Sequence, residues 1–271
     1  GGNSPALLFS DIGFYEMPRI SPPKLVIFDC DGVLVDSEVP TIKCLQQDLR
    51  DYGLALSYSE TSSLLSAGTF SGAGAKARKM GANLPDDWLE KVYERLYARL
   101  ANEVELIPGV ENVIDMLHRA GISCAVGSNG RIAKMEIMLR RVGLWSRLKH
   151  RLYSAQDLAA PKPSPDIYLK IRAEFGYAAA DCVIIEDSAT GAKAAMTAGI
   201  SCFGYTAQTD PKKLAPYTTV VFADMRELPA LLGLAPTLDP RSGSVHTSCH
   251  IAGLATVGVS ISSPTLKRRP S

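Results

Sequence analysis

Leu25, Val26, Ile27 and Phe28 form an unbroken apolar run. Five further short runs, at 122–127, 151–154, 182–185, 201–205 and 218–222, are apolar or β-branched. Runs of this length without polar alternation predict strands buried on both faces. Helical spacing fills the intervals. Val110, Val113, Ile114 and Leu117 share one helix face, as do Ile132, Met135, Leu139 and Val142. The Ser164-Pro165-Asp166 stretch predicts a helix start, with Ser164 as N-cap and Pro165 at the first helical position. Ile167, Tyr168, Ile171 and Phe175 continue its apolar stripe. Strands alternating with helices predict an α/β fold, a doubly wound parallel (Rossmann-like) sheet covered on both faces.

Residues 39–104 break this rhythm. No convincing strand lies there. Leu45, Leu49 and Tyr52 fit one helix, and Tyr93, Leu96, Tyr97 and Leu100 fit another. Pro108-Gly109 marks the return to alternation. The predicted organisation is an N-terminal extension (1–22), an α/β core (23–38 and 105–232), an inserted α-helical cap (39–104) and a tail (233–271). The tail is rich in Ser, Thr, Pro and Gly without periodicity, which predicts a poorly ordered appendix.

Composition narrows the function classes. Of 271 residues, 29 are basic and 28 acidic, so no basic excess points to nucleic acid. No apolar run is long enough to span a bilayer, so no membrane partner is expected. The N-terminus lacks a basic start and does not read as a signal peptide, and it lacks an initiator Met, as expected of a fragment or processed chain. Six cysteines include no C-x-x-C pair, and most sit in or beside apolar runs. Buried thiols in a reducing cytoplasm are expected. Nothing in the pattern speaks to oligomeric state.

Candidate chemistry gathers at the strand ends, where ligands of open parallel sheets sit. The first strand ends in Asp29, with Asp31 two residues on and Gly32 after it. The second ends in Ser128-Asn129-Gly130, a hydroxyl and free amides at a helix start that suit an anion. Lys162 follows the third strand, between Pro161 and Pro163, and the fourth ends in Glu186-Asp187. Each has a plainer reading taken alone: an Asp-Gly turn, a Ser N-cap, a solvated lysine, an acid pair at a helix start. Together they would aim four carboxylates, an ammonium and a hydroxyl at one place. Desolvated like charges are costly, and a hard cation relieves them. Few protein oxygens with room for water and phosphate suit Mg²⁺. Lys162 and the Ser128 region would then hold a phosphate.

The residues Asp29-x-Asp31-Gly-x-x-x-Asp36-Ser37, Ser128-Asn129, Lys162-Pro163 and Glu186-Asp187-Ser188 match, in order, the four motifs of the haloacid dehalogenase superfamily. The chain resembles that superfamily over about 24–232. The helical insertion is similar to the cap of the subgroup with β-phosphoglucomutase, phosphoglycolate phosphatase and sugar-phosphate phosphatases. The resemblance implies Asp29 as nucleophile forming an aspartyl-phosphate, and Asp31 as general acid and then base. It implies Ser128, Asn129 and Lys162 as phosphate-binding groups. It also implies Mg²⁺ held by Asp29, the Asp31 backbone carbonyl and Asp187, with Glu186 joining directly or through water. Asp36 is expected to support the loop.

The implied activity is a Mg²⁺-dependent phosphatase acting on a small phosphorylated metabolite, a sugar or sugar-acid phosphate. Asp31 argues against carbon–halogen chemistry, because the dehalogenases lack that acid. A phosphosugar mutase is the alternative. The mutases resembled carry a His where this chain has Thr41, and an Arg in a cap loop where this chain reads "SAGTFSGAGAK", with none before Arg78. A catalytically silent phosphate-binding regulator is a third reading, opposed by the intact Asp29, Asp31, Lys162 and Asp187. Specificity is expected from the cap, with Gly68, Thr69 and Phe70 as a glycine-hinged turn carrying a hydroxyl and a ring; the alternative is that Phe70 packs inside the cap. "GAGAKA" (72–77) fits a weak nucleotide fingerprint but lacks a preceding strand. His246, Cys249 and His250 are ligand-like without a fourth partner.

Overall fold

The computed structural model describes residues 21–65 and 69–234. Nearly all of the 1–22 extension and the 233–271 tail lie outside them, and so do Gly68, His246, Cys249 and His250.

The core is a six-stranded, wholly parallel sheet. Its strands are β1 (Leu25–Phe28), β4 (Ser123–Ser128), β5 (Leu152–Ser154), β6 (Cys182–Glu186), β7 (Ser201–Tyr205) and β8 (Val220–Phe222), in spatial order β5-β4-β1-β6-β7-β8. A two-stranded antiparallel ribbon, β2 (Val35–Asp36) and β3 (Glu105–Leu106), completes the numbering. In the main sheet, chain order reverses direction at β1, which lies between β4 and β6. This is the doubly wound arrangement, whose ligand crevice opens beyond the strand ends at the reversal.

The apolar run of β1 is explained by burial on two sides. Val26 and Phe28 join the cluster beneath α5 (Val110–Arg119) and α6 (Ile132–Arg141), with Val113, Leu117, Met135 and Leu139. Leu25 and Ile27 point the other way, toward α8 (Asp166–Phe175) and α9 (Ala189–Thr197), with Ile167, Ile171 and Ala195. All four β1 side chains are fully buried. A strand with no solvent face has no use for polar alternation. Short helices α7 (Trp145–Leu148), α10 (Pro211–Leu214) and α11 (Leu228–Leu231) close the periphery.

The expected strands are present with ends shifted by one or two residues, the usual uncertainty where termini fray. The expected helix start at Ser164 is corrected. The helix begins at Asp166, and Pro165 occupies the capping position without a side-chain cap. Ser164 instead closes a turn, its amide donating to the Pro161 carbonyl at 3.0 Å.

Between β2 and β3 the chain forms α1 (Glu38–Asp51), α2 (Tyr58–Leu65), α3 (Phe70–Lys79) and α4 (Trp88–Glu103). The ribbon pairs Val35 with Leu106 and Asp36 with Glu105, so the chain leaves and re-enters the core side by side. Leu45, Leu49, Trp88, Leu96 and Leu100 pack between these helices. Buried Asp48 of α1 accepts a hydrogen bond from the Trp88 indole and pairs with Arg95, tying α1 to α4. Helix α4 also lies against α6 of the core. "GAGAKA" sits on α3, and the described element before it is the helix α2, not a strand.

Gly74 of α3 faces Trp88 so closely that a Cβ there would lie 2.3 Å from Cζ3. Exchanging glycine for alanine within a helix ordinarily gains about 1 kcal/mol. Overpacking, about 1–3 kcal/mol, opposes that gain here. Gly74→Ala is expected to lower stability by up to about 2 kcal/mol, read from the urea midpoint, whereas a raised midpoint would mean the indole yields freely.

Candidate active site

Strand β1 delivers Asp29 to the crevice. Its amide donates to the Ile185 carbonyl at 2.9 Å, which continues the sheet pairing one residue past the strand. The side chain is buried, and Oδ1 accepts from the Lys162 ammonium at 2.6 Å. The same ammonium donates to the Gly127 carbonyl at 2.8 Å and to Glu186 Oε1 at 2.5 Å. A lysine held by two carboxylates and a carbonyl, with Tyr168 flanking it (5.0 Å to the ring centroid), has a fixed position and a permanent charge. Burial alone would depress its pKa, but Asp29 and Glu186 outweigh burial and raise it.

Glu186 is fully buried at the end of β6 and accepts four hydrogen bonds. Lys162 and the Tyr168 hydroxyl (2.6 Å) reach Oε1. The Ser188 amide (3.3 Å) and hydroxyl (2.9 Å) reach Oε2. The Ser188 hydroxyl in turn caps α9, accepting from the Gly191 amide at 3.0 Å. Glu186 is thus saturated by protein donors, and its evident work is to hold Lys162.

Oxygen atoms of Asp29, Glu186 and Asp187 lie within 4.8 Å of one another. Burial pushes the Asp29 carboxyl up to about 7, with Glu186 and Asp31 adding to the rise and Lys162 opposing it. Burial, reinforced by Asp29, also raises Asp187 well above the usual carboxylate range. Burial, with neighbouring negative charge added to it, disfavours the ionised carboxylates here, and a bound cation would favour them. The donor set is all oxygen and fits a hard divalent ion. Gly32 shapes the same cradle. Its φ of +78° suits glycine, and a Cβ there would fall 2.0 Å from Asp187 Oδ2.

The Asp31 carboxylate lies outside that group. Its Oδ1 accepts from Lys134 at 2.6 Å and from the Ser37 hydroxyl. Burial would raise its pKa, but Lys134 and Ser37 outweigh burial and hold it below the usual range. Ser128, buried at the end of β4, accepts from the Gly130 amide at 2.9 Å, so its own proton is free for another acceptor. Asn129 Oδ1 accepts from the Lys162 amide at 2.9 Å and so anchors the lysine loop. The donors Asn129 has left for an anion are its backbone amide and its side-chain Nδ2. Asp36 Oδ2 accepts from Gln208 at 3.1 Å.

In the helical insertion, Thr69 caps α3 by accepting from the Gly72 amide at 3.1 Å. Phe70 is 6% exposed and packs on Tyr93, centroids 5.2 Å apart. Of the two readings of Phe70, its burial and this contact support packing within the insertion, where the ring helps seal the α3–α4 contact. Three contributors are absent from the sequence-based site. Lys134 sits in the first turn of α6, one helix turn beyond the strand tip. Tyr168 reads as one more apolar stripe residue, yet its hydroxyl serves Glu186. Ser37 belongs to the first motif, and only the fold gives it Asp31 as partner.

The chain matches the family model described as haloacid dehalogenase-like hydrolase over residues 26–205. It is 26% identical over 208 residues to the 6-phosphogluconate phosphatase of Escherichia coli K12, covering 76% of this chain and 93% of that protein. It is 28% identical over 196 residues to the β-phosphoglucomutase of Bacillus subtilis 168, covering 67% and 82% respectively. Among solved structures, a HAD family hydrolase from Deinococcus radiodurans R1 with bound phosphate and sodium aligns at a TM-score of 0.68 and 30% identity, over 78% of this chain and 96% of that one.

Removing the buried ammonium should leave Asp29 and Glu186 facing each other. Lys162→Met is expected to lose about 3–5 kcal/mol of stability at pH 8. Adding Glu186→Gln should restore part of that loss, because one of the uncompensated charges is removed. Urea denaturation of the single and double variants measures both, and a single variant as stable as wild type would show that Lys162 does not balance this charge.

Proposed function

The chain belongs to the haloacid dehalogenase-like hydrolase family and is a phosphoric monoester hydrolase, and from that premise we propose that it is a Mg²⁺-dependent phosphatase for a small sugar or sugar-acid phosphate. The observation that carries this reading is Asp29: a buried carboxylate beside a fixed ammonium, with Asp187 completing an oxygen cradle.

In the proposed reaction, Asp29 attacks phosphorus and the bond to the leaving oxygen breaks, forming an aspartyl-phosphate. Asp31 delivers a proton to the leaving oxygen. It then takes a proton from the water that attacks the phosphoryl group and frees phosphate and Asp29. The Ser128 hydroxyl, the Asn129 backbone amide and Lys162 bind the phosphoryl oxygens as their charge redistributes. Asp29, Asp187 and the Asp31 backbone carbonyl would hold Mg²⁺, with Glu186 adjacent as holder of Lys162. Bound there, the ion would neutralise phosphoryl charge and relieve the Asp29–Asp187 repulsion.

The insertion α1–α4, held by the β2–β3 ribbon, serves as the cap in this reading and leaves the leaving group as the variable part of the substrate. The name of the Escherichia coli relative supports a sugar-acid phosphate. Buried free thiols at Cys30, Cys44, Cys124, Cys182 and Cys202 suit a reducing cytoplasm. Among the described residues no helix is long and apolar enough to cross a membrane.

Two observations rank hydrolysis above mutase chemistry. Thr41 Oγ1 donates to the Ser37 carbonyl at 2.6 Å, which satisfies the helix backbone. Arg78 donates to the Pro85 carbonyl at 3.1 Å. Both contacts are made to backbone within the insertion, which supports hydrolysis as the first reading.

Asp29→Asn keeps the shape and removes the nucleophile, and should lower phosphate release by more than about 1000-fold with the fold retained. Near wild-type rates in a colorimetric phosphate assay would reject the covalent route and, with it, the assignment of Asp29.

With an isotope-labelled hexose 1-phosphate and Mg²⁺, the expected product is free phosphate and sugar. Accumulation of the 6-phosphate as the main product would place the mutase first. Turnover unaffected by chelation of Mg²⁺ would reject the metal.

A further inference from the structure

We infer that Lys134 and Ser37 form a clamp that holds the Asp31 carboxyl by Oδ1 and turns Oδ2 toward the phosphate loop, making Lys134 a positioning residue for the departure of the leaving group. The inference rests on the proposed acid–base role of Asp31. The observation is that both donors converge on one atom. The Lys134 ammonium reaches Oδ1 at 2.6 Å, and the Ser37 hydroxyl reaches the same oxygen. Oδ1 is thus engaged by two donors, one of them a cation, and Oδ2 is the oxygen left to meet a ligand.

Oδ2 points toward the phosphate-binding loop. A Cβ placed on Gly130 would lie 3.7 Å from Asp31 Oδ2 and 3.3 Å from Ser128 Oγ. The oxygen left outside the clamp thus lies beside the hydroxyl and amides assigned to the phosphoryl group. Each donor is itself held. Ser37 precedes α1, and its carbonyl accepts from the Thr41 hydroxyl. Lys134 projects from the first turn of α6, and its side chain is 19% exposed. The clamp joins the β1 loop, the start of the helical insertion and a core helix through one oxygen atom.

A second lysine near a phosphate has a simpler possible role, which is to bind the phosphoryl group directly. Leaving-group chemistry separates the two. An alkyl phosphate such as a sugar phosphate needs a proton on its departing oxygen. An aryl ester such as p-nitrophenyl phosphate departs as a stable anion and needs little. The comparison uses kcat/KM, which reports events up to leaving-group departure and excludes breakdown of the phosphoenzyme.

For Lys134→Met, kcat/KM for the best sugar phosphate should fall at least tenfold more than kcat/KM for p-nitrophenyl phosphate, because a small misplacement of a catalytic group can cost about 100-fold. Lys134→Arg should recover part of the selective loss. Ser37→Ala, which removes the other donor, should show the same selectivity and serves as the test if Lys134→Met does not fold. An equal fall for both esters, or no fall for the sugar phosphate, overturns the clamp. Asp31→Ala separates this failure from failure of the underlying reading: if its losses on the two esters are equal, Asp31 is not the acid, whatever Lys134 does.

Discussion

A single buried ammonium organises the crevice. Lys162 binds Asp29 on β1, the Gly127 carbonyl on β4 and Glu186 on β6, and these are three adjacent strands of the sheet. Without it, the strand tips would present only mutual repulsion. With it, Glu186 can be fully buried, and Asp29 can stand beside Asp187. The rest of the architecture serves this arrangement. The apolar strands fix the tips, Asn129 holds the lysine loop by its amide, and Tyr168 and Ser188 saturate Glu186. Lys162, Asp29 and Glu186 are paired at hydrogen-bond distance, and the Asp187 carboxylate beside them is left for a cation.

Around that fixed centre, Asp31 is placed differently. It stands apart from the Asp29–Glu186–Asp187 group and answers to Lys134 and Ser37 instead. Two carboxylates separated by one residue therefore have opposite electrostatic surroundings. One is raised by burial and like charge, and the other is held down by a cation.

The sequence made these features legible to unequal degrees. The sheet was visible because β1, β4 and β6 are buried on both faces and carry almost no polar residues. The tip residues Asp29, Ser128, Lys162 and Glu186 were visible because each polar group interrupts, or follows, such a run. Lys134 was hidden because a lysine in a first helical turn is ordinary, and only the packing of α6 beside β1 gives it meaning. Tyr168 was hidden because its ring fits the apolar stripe of α8 and its hydroxyl does not register in that pattern. Phe70 was ambiguous for a related reason. A ring at a helix start can face a cleft or its own domain, and its contact with Tyr93, a tertiary fact, supports the second. Pro165 misplaced a helix start by local turn chemistry that the flanking prolines had already claimed for Ser164.

The central claim is that Asp29 becomes covalently phosphorylated. Rapid acid quench during turnover, followed by mass spectrometry of the peptide containing β1, tests it directly. The account predicts a phosphoryl group on Asp29, labile to hydroxylamine as an acyl phosphate is, and formed before free phosphate is released. A phosphoryl group on any other residue, or turnover with no phosphorylated enzyme at times shorter than one catalytic cycle under conditions where its breakdown limits the rate, would contradict it.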